Sequence, residues 1–411
     1  MTADTRMPAT HTWTPRVTVQ LMVLAAAAFV YATAEILPVG ALPAIAADLR
    51  VSEALVGTLL ASYALVAALT TVPLVRLTVR WPRRTTLLLT LLCLTASQLV
   101  SALAPNFAVL AGGRALCALT HGLMWSVIAP IGARLVPATH AGRAFTAVYV
   151  GTGLAIVAGN PLTAAMSELW GWRLAVVLVT AAAAAVTVAA RAALPPMAMA
   201  RGDTHRGRRP GRHHRNGRLV TLTVLTMIGV TAHFISYTFI VVIIRDVVGV
   251  HGPRLAWLLA AFGTAGLISM AAMARPLDRW PQASVAGCLA ALALALAALT
   301  SLAFDRSAGL VAMIGGVTAV VLWGAASTAL PPMLQAAAMR TAPSDPDGAS
   351  GLYVAGFQVG IMAGSLAGGL LYERAGLAPM MAASTALVVV ALTGVTATRG
   401  LLEVPQGIGR K

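Results

Sequence analysis

The chain has 411 residues, of which 58% are hydrophobic and only 10% are charged, with a formal net charge of +16. So few charged residues cannot cover a water-soluble globule of this length, which excludes the soluble classes of protein. The apolar residues form runs of about twenty, the length that a helix needs to cross the bilayer core. Strand-like alternation is absent, so the pattern predicts an all-α, polytopic membrane protein rather than a barrel.

Twelve apolar runs follow one another along the chain and predict twelve transmembrane helices. They lie near 18–46, 54–75, 86–104, 107–133, 145–167, 174–194, 219–244, 255–274, 284–304, 309–333, 350–371 and 379–398. The segment between the sixth and seventh runs is the longest connection. We therefore expect a six-helix half over 18–194, a basic linker over 195–218 and a second half over 219–398, flanked by tails at 1–17 and 399–411.

Arginine and lysine residues are distributed unevenly over the connecting segments. Most of the 29 fall in the two tails and in every second connection, including the linker. Such a bias marks the cytoplasmic side, so both termini are predicted to be cytoplasmic in the cell inner (plasma) membrane. The basic residues are not interleaved with aromatic residues on one surface, so we expect no nucleic acid as a partner.

The linker contains His205, His213 and His214 among its arginines. A metal or nucleic-acid site is one interpretation of this cluster. A solvated connection that touches anionic lipid headgroups is the other, and it is the one we adopt. We expect no metal and no cofactor, and we expect the chain to act as a monomer in the lipid bilayer.

The first apolar run has a second interpretation. The stretch 17–30, followed by Ala32-Thr33-Ala34, resembles a signal peptide with a small-residue cleavage site. The apolar character continues to Ala46, and removing the segment would leave eleven spans. We therefore expect this run to be the first membrane span.

The two halves carry matching landmarks. Arg80-Trp81-Pro82 is followed by Arg279-Trp280-Pro281, Trp125 by Trp323, and Asn160 by Gln358, all at nearly the same separation. Such a register predicts a duplicated six-helix unit with pseudo-symmetric halves. Parallel repeats with a substrate site between them, near the membrane midplane, are the architecture of the major facilitator fold.

Glu35 alone among thirteen acidic residues lies deep within an apolar run. A carboxylate there costs about 2.5–3.5 kcal/mol, so it normally faces a cavity or has a functional partner. Arg114 is the only Arg or Lys well inside a span and lies at a similar depth, so the two are predicted to pair. Tyr31, one turn before Glu35, is expected to offer its hydroxyl. A static ion pair without a transport role is the alternative.

Further polar and aromatic residues within the spans are expected to line a central cavity. His121 and Trp125 follow Arg114 on one face of the fourth span. Aromatic walls with a few polar anchors suit an amphiphilic or hydroxylated solute. Packing or a hydrogen bond between helices is the competing interpretation for each residue. The candidates for substrate binding are Tyr31, His121, Trp125, Asn160, His233, Tyr237, Trp323, Ser327, Phe357 and Gln358.

Glycines of the eleventh span recur at every fourth position. They form one face that predicts close helix packing rather than ligand contact: Gly356, Gly360, Gly364 and Gly368. The fifth span contains Gly159-Asn160-Pro161, which predicts a kink. Cysteine predicts no disulfide framework, because all three residues lie within predicted spans: Cys93, Cys117 and Cys288.

Four motifs carry a family resemblance: Glu35-Ile36-Leu37-Pro38-Val39-Gly40, Arg114 with His121 and Trp125, Trp170-Gly171-Trp172-Arg173, and Thr231-Ala232-His233-Phe234 with Tyr237. Together they resemble the sugar-efflux permeases of the drug/proton antiporter branch of the major facilitator superfamily. The likeness runs from about residue 20 to about residue 395. The first and last motifs are fairly specific to that branch, whereas the Arg114 motif is shared more widely.

The resemblance implies a twelve-helix exporter of sugars or drug-like compounds that is driven by proton entry. It implies that Glu35 and Arg114 are the proton-coupling residues. The superfamily's gating loop is only partly kept, since Val79 stands where an Asp is expected. The retained loop positions in the two copies are Arg80, Arg83, Arg84, Asp278 and Arg279. The antiporter signature of the fifth span is also altered, which weakens that motif as a sign of antiport.

The sequence therefore predicts a secondary transporter, with proton-coupled efflux by alternating access as the preferred mechanism. We expect substrate to bind between the halves when Glu35 is deprotonated, and protonation from outside to favour its release. A proton-independent facilitator or a symporter is the alternative. A polytopic membrane enzyme or a sensor is the remote alternative, because the loops are poor in clustered catalytic groups and too short for a folded sensory domain.

Overall fold

The computed structural model describes residues 14–78, 81–136, 141–196, 216–305, 309–342, 346–398 and 400–402. Almost all of these residues are helical. The α-helices in chain order are α1 (Pro15–Gly40), α2 (Leu42–Leu49), α3 (Glu53–Thr78), α4 (Arg83–Ala102), α5 (Phe107–Arg134), α6 (Ala141–Leu154), α7 (Asn160–Trp170), α8 (Trp172–Ala193), α9 (Gly217–Tyr237), α10 (Ile240–Asp246), α11 (Pro253–Arg279), α12 (Pro281–Asp305), α13 (Leu310–Thr341), α14 (Pro346–Ala375) and α15 (Leu377–Ala397).

Twelve stretches of the described chain are long and apolar enough to cross a membrane. They coincide with the twelve runs predicted from the sequence, which confirms the all-α, polytopic class. The first six belong to one half of the molecule and the last six to the other. Most of the predicted linker, residues 197–215, lies outside the described residues.

Hydrogen bonds between distant segments mark one end of the bundle, where the first helix of each half begins and the last one ends. Gln20, near the start of α1, donates to the carbonyl of Ala193 at the end of α8, at 2.8 Å. Arg218, at the start of α9, donates to the carbonyl of Leu401 beyond α15, at 2.8 Å. We call this end the termini face, and the opposite end, where α1 ends and α3 begins, the far face.

The first and seventh spans are each followed by a short separate helix, where the sequence predicts one continuous run. The break after α1 comes where Pro43 has no N–H to donate to the carbonyl of Val39. The break after α9 comes at Thr238, whose hydroxyl donates to the carbonyl of Phe234 at 2.7 Å. Breaks at corresponding places agree with a duplicated six-helix unit.

The fifth span contains a π-helical segment, Ala155–Gly159, between α6 and α7. Pro161 follows it and has no N–H to donate back into the helix, which explains why the regular pattern fails here. The sequence therefore predicted an irregularity at the correct place. The segment packs against α1 of its own half and against α11 of the other half.

The glycine face of α14 packs against α9, as predicted. A Cβ atom built on Gly364 would lie 2.5 Å from the carbonyl oxygen of Thr231. One built on Gly368 would lie 2.5 Å from the carbonyl oxygen of Ile235. Only glycine permits this approach of two backbones, so the stripe is a packing feature. The halves themselves meet mainly along α3 with α14 and along α11 with α7.

Candidate functional site

The carboxylate of Glu35 faces His121 in the interior of the bundle. Oε2 of Glu35 lies 3.6 Å from Nδ1 of His121, and the two side chains are 19% and 12% exposed. The hydroxyl of Tyr63 on α3 lies 3.0 Å from the same ring nitrogen. Glu35 is therefore next to an imidazole, whose two ring nitrogens can each donate or accept a hydrogen bond.

The other nitrogen of His121 reaches the second half of the molecule. Nε2 lies 3.3 Å from the side-chain amide of Gln358 on α14. An amide can donate to an unprotonated ring nitrogen or, turned over, accept from a protonated one. His121 thus contacts the buried carboxylate on one side and the opposite half on the other.

Arg114 is bound to the backbone of α1 instead of to the Glu35 carboxylate, so the predicted ion pair is wrong. The guanidinium is 2% exposed. It donates to the carbonyl of Ala34 at 2.5 Å and to the carbonyl of Glu35 at 2.7 Å. Its carbon also lies 5.1 Å from the centre of the Tyr63 ring. Arg114 therefore holds the backbone that carries Glu35.

Pro38 supplies the physical reason for this arrangement. It lies inside α1, where its missing N–H leaves the carbonyl of Ala34, four residues earlier, without a helical donor. A buried carbonyl without a partner costs about 1–3 kcal/mol. Arg114 provides the missing donor from α5. Depth alone could not distinguish this partner from the nearby carboxylate, which is why the sequence prediction failed.

Tyr31 does not offer its hydroxyl to Glu35 as expected. The side chain is fully buried, and the hydroxyl donates to the carbonyl of Cys117 at 3.0 Å. Its ring stands 6.3 Å from that of Trp125 in an edge contact. Trp125 in turn stacks on Tyr149 at 5.9 Å. Tyr31 therefore supports the wall of the site, and the partly buried Trp125 forms part of its aromatic face.

A second group of aromatic residues lies in the other half. His233 stacks on Tyr237 with ring centres 5.0 Å apart. The indole nitrogen of Trp323 donates to Nδ1 of His233 at 3.0 Å. Phe262 contacts both Tyr237 and Trp323. The structure therefore brings together three of the predicted residues and adds Phe262, which the sequence reading did not select.

The other residues predicted to bind substrate lie at separate places along the spans. Asn160 is buried beside α1, and its Oδ1 would lie 2.6 Å from a Cβ built on Gly40. Ser327 is buried one turn beyond Trp323 on α13. Phe357 is half-buried and contacts the ring of Tyr353 at 6.1 Å. Asn160 and Ser327 thus lie in packed regions, whereas Phe357 is next to Gln358 on α14.

The predicted gating residues that the structure describes lie at or near the termini face. Arg84 donates to the carbonyl of Arg191, which ties the start of α4 to the end of α8. Arg279 lies over the ring of Trp280 at 4.8 Å. Arg83 begins α4. Two further predictions, Arg80 and the side chain of Asp278, lie outside the described residues.

A charged contact that the sequence reading missed joins the two halves at the far face. Arg245 on α10 lies 3.2 Å from the carboxylate of Glu53 at the start of α3. Tyr372 on α14 donates to the same carboxylate at 2.7 Å. The hydrogen bond from Arg245 to Asp246, together with the charge of Glu53, holds the pKa of Arg245 above its usual value. Both halves are therefore fastened at this end.

Within the first half, Asp48 connects the short helix α2 to the start of α8. Its carboxylate accepts hydrogen bonds from Arg173 and, at 3.1 Å, from Trp172. Arg173 also donates to the carbonyl of Ala104 at 2.8 Å. The hydrogen bond from Arg173 lowers the pKa of Asp48. The motif that contains Trp172 and Arg173 thus anchors the far face.

A cavity of about 580 Å³ opens between the halves at the far face. Its first-half wall includes Gly40, Glu53 and Glu168, and its second-half wall includes Arg245 and His251. The ion pair between Glu53 and Arg245 is therefore part of the cavity lining. The cavity lies beyond the break that follows α1, on the far-face side of Glu35.

Tyr63 contacts His121 at the centre of the candidate site, and the sequence analysis did not select it. A hydroxyl in the middle of an apolar run was the available signal, the same one that drew attention to Tyr31. The far-face pair of Glu53 and Arg245 offered no comparable signal, because charged residues at helix ends are ordinary.

The Major Facilitator Superfamily matches residues 24–348 of this chain. A chloramphenicol efflux pump of Mycobacterium tuberculosis is 64% identical over 409 residues, which cover 98% of each chain. A probable sugar efflux transporter of Mannheimia succiniciproducens is 29% identical over 365 residues, covering 87% of this chain and 88% of that protein.

Solved structures share the fold at low sequence identity. A nucleoside transporter superposes with a TM-score of 0.76 at 12% identity, covering 93% of this chain and 99% of that chain. A bacterial homologue of the human lysosomal transporter Spinster gives 0.72 at 16% identity, covering 95% and 98%.

Twelve spans in two six-helix halves define a membrane transporter of the major facilitator fold. The chain belongs to the Major Facilitator Superfamily. It is a secondary transporter, and it is similar to a chloramphenicol efflux pump over 98% of its length.

Proposed function

We propose that this protein exports a small amphiphilic compound of the phenicol type in exchange for protons, and that Glu35 with His121 forms the coupling site. The observation that carries this proposal is the 3.6 Å contact between the Glu35 carboxylate and His121, with Gln358 of the opposite half on the other ring nitrogen. A proton that arrives at this site changes a contact between the halves.

The contact between the halves changes because the two ring nitrogens of His121 face different partners. When Glu35 is ionised, the ring directs an Nδ1 proton towards the carboxylate, and Nε2 accepts from the amide of Gln358. When Glu35 is protonated, Nδ1 accepts a hydrogen bond from Glu35 or Tyr63 and the ring proton moves to Nε2. The amide of Gln358 must then turn over, so the bridge between the halves is remade.

Arg114 has a positioning role in this proposal. It fixes the backbone carbonyl of Glu35 and leaves the carboxylate to His121. A carboxylate that is not held in an ion pair with an arginine can take up a proton more readily, because a neighbouring cation favours the ionised form. This replaces the pairing of Glu35 with Arg114 as the coupling device.

The proposed substrate class is supported by the name of the more similar of the two relatives described above. A chloramphenicol efflux pump is 64% identical to this chain, whereas the probable sugar efflux transporter is 29% identical. The partly exposed aromatic residues Trp125 and His233 suit a neutral solute with an apolar ring. Sugars are the second candidate class.

The termini face is cytoplasmic in this proposal, because the sequence places most Arg and Lys residues in the tails and in the connections that follow spans two, four, six, eight and ten. The far face, with its cavity and the contact between Glu53 and Arg245, is then the outer side of the plasma membrane. The site is built from a single chain, so a monomer is the proposed functional unit.

Everted membrane vesicles test this proposal, because their lumen corresponds to the outer side. Acidifying the lumen should drive uptake of labelled chloramphenicol against its gradient. The Glu35→Gln variant should lose uphill uptake but keep exchange of labelled for unlabelled compound. Glu168→Gln removes an exposed carboxylate at the far face and serves as the matched control. Uphill uptake by Glu35→Gln at the wild-type level would refute the coupling role.

A further inference from the structure

His233 lies in a pocket of aromatic rings near the far-face end of α9. We call His233, Phe234, Tyr237, Phe262 and Trp323 the second-half aromatic cluster. Ring centres of Phe234, Tyr237 and Trp323 lie 5.1, 5.0 and 5.8 Å from that of His233. The imidazole is therefore surrounded on several sides by apolar surface.

Trp323 fixes the protonation state of this imidazole. Its indole N–H lies 3.0 Å from Nδ1 of His233. An indole nitrogen only donates, so Nδ1 has to be the acceptor. A doubly protonated ring would turn two N–H groups towards each other inside a fully buried contact, since Trp323 is 0% exposed. His233 is therefore neutral, and its proton is on Nε2.

The Nε2–H group is available to a ligand. Within the part of the chain that the structure describes, Trp323 is the hydrogen-bond partner of His233, and the contact uses Nδ1. The side chain is half-buried although its helix lies inside the bundle. The half-buried ring therefore leaves room for a ligand at the edge that Trp323 does not occupy.

We infer that His233 is a fixed hydrogen-bond donor of the substrate site and selects neutral solutes that carry an acceptor next to an apolar ring. Nitro, amide carbonyl and hydroxyl oxygens are such acceptors. This inference rests on the proposed function and names the chemistry of its substrate site. His121 and His233 then have separate roles, because His121 faces a carboxylate and His233 faces a donor that keeps it uncharged.

The electrostatic consequence is discrimination against anions. The protonated imidazole that would hold an anion is prevented by Trp323, so the second-half aromatic cluster offers an anion no ionic partner. A neutral acceptor, in contrast, completes the one unused hydrogen bond of His233. The aromatic walls then bury the apolar part of the solute, which a mostly apolar pocket with few polar groups does well.

Equilibrium binding of chloramphenicol to the detergent-solubilised protein tests the donor role without any proton gradient. His233→Phe keeps a ring but removes the donor, and affinity should fall about tenfold, as expected for one lost hydrogen bond to a buried group. His233→Gln retains an N–H donor and should recover most of that loss. Equal affinity for the wild type and His233→Phe would overturn the inference.

Trp323→Phe tests the control of the tautomer separately. Without the indole N–H, Nδ1 of His233 has no fixed donor, so the neutral ring can carry its proton on either nitrogen. Chloramphenicol affinity should then fall, but by less than in His233→Phe, because part of the population still offers Nε2–H. An affinity equal to that of the wild type would contradict the role of Trp323.

These outcomes are distinct from a failure of the proposed function. If the wild-type protein binds chloramphenicol but moves it only down its gradient, proton coupling is refuted and the role of His233 stands. A protein that transports uphill with unchanged binding after His233→Phe would do the reverse.

Discussion

The guanidinium of Arg114 takes the hydrogen-bonding position that Pro38 leaves empty in α1. The carbonyl of Ala34 receives its donor from α5 because the residue four positions later has none to give. Proline and arginine thus form one unit, although they are far apart in the sequence. Glu35 lies between Ala34 and Pro38 in α1, so its orientation depends on this pairing of Pro38 with Arg114.

Removing Arg114 should therefore be tolerated better when the proline is removed as well. Arg114→Gln should destabilise the protein by about 1–3 kcal/mol, because a buried carbonyl loses its donor. Pro38→Ala restores an N–H to that carbonyl, so the double variant should recover part of the stability and transport lost in Arg114→Gln. Thermal unfolding in detergent and vesicle uptake measure the two effects. A purely additive double variant would show that Arg114 acts independently of the proline.

Opening of the far face should depend on Glu53. Glu53→Gln removes the charge that holds Arg245 and weakens the contact with Tyr372. Spin labels at the exposed positions Ala47 and Arg254 report the separation of the halves by pulsed electron resonance. We expect the distance distribution to gain a longer component in Glu53→Gln. Glu168→Gln, which lines the same cavity, should leave the distribution unchanged.

The contact between Asp48 and Arg173 should stabilise the protein in a pH-dependent way. The pKa of Asp48 is lowered from its model-compound value of 3.8 by the hydrogen bond from Arg173. A lowered carboxyl pKa means that the stabilisation is complete above 3.8 and is lost as the pH falls through the folded-state value. Asp48→Asn should therefore melt at a lower temperature than the wild type at pH 7. The gap should shrink below pH 3.8, and a constant gap would contradict the assignment.

Glycine packing between α14 and α9 predicts a contrast between two similar substitutions. Gly364→Ala places a Cβ 2.5 Å from the carbonyl oxygen of Thr231, which forces the helices apart and should cost about 1–3 kcal/mol. Gly287→Ala on α12 meets no atom within 4 Å and should be neutral or slightly stabilising. Melting temperatures of the two variants decide the matter, and equal losses would argue against the close packing.

Hydrophobic patterning was sufficient to predict the twelve spans, because crossing a bilayer imposes a length and an apolar composition on every helix. The breaks after α1 and α9 lay within single apolar runs, so composition could not reveal them. The position of Pro43 was a usable signal for the first break. The second depends on Thr238, whose hydroxyl bonds to the backbone and to Ser365 on α14.

The sequence predicted which residues form the candidate site better than it predicted the contacts between them. Glu35, His121 and Gln358 were all selected as ionisable or polar groups inside spans, where such groups are costly. Their mutual contact depends on how α1, α5 and α14 pack, which one sequence does not contain. The partner of Arg114 was predicted wrongly because charge complementarity suggested a carboxylate, whereas the helix defect at Pro38 offered a carbonyl.

Proton release on substrate binding tests the central claim most directly. If substrate binds the form in which Glu35 is ionised, then adding chloramphenicol to the solubilised protein in weakly buffered, mildly acidic solution must release protons, by linkage. The wild type should release up to about one proton per chain, and Glu35→Gln should release none. Equal release from the two proteins would contradict the assignment of Glu35, with His121, as the site that couples protons to transport.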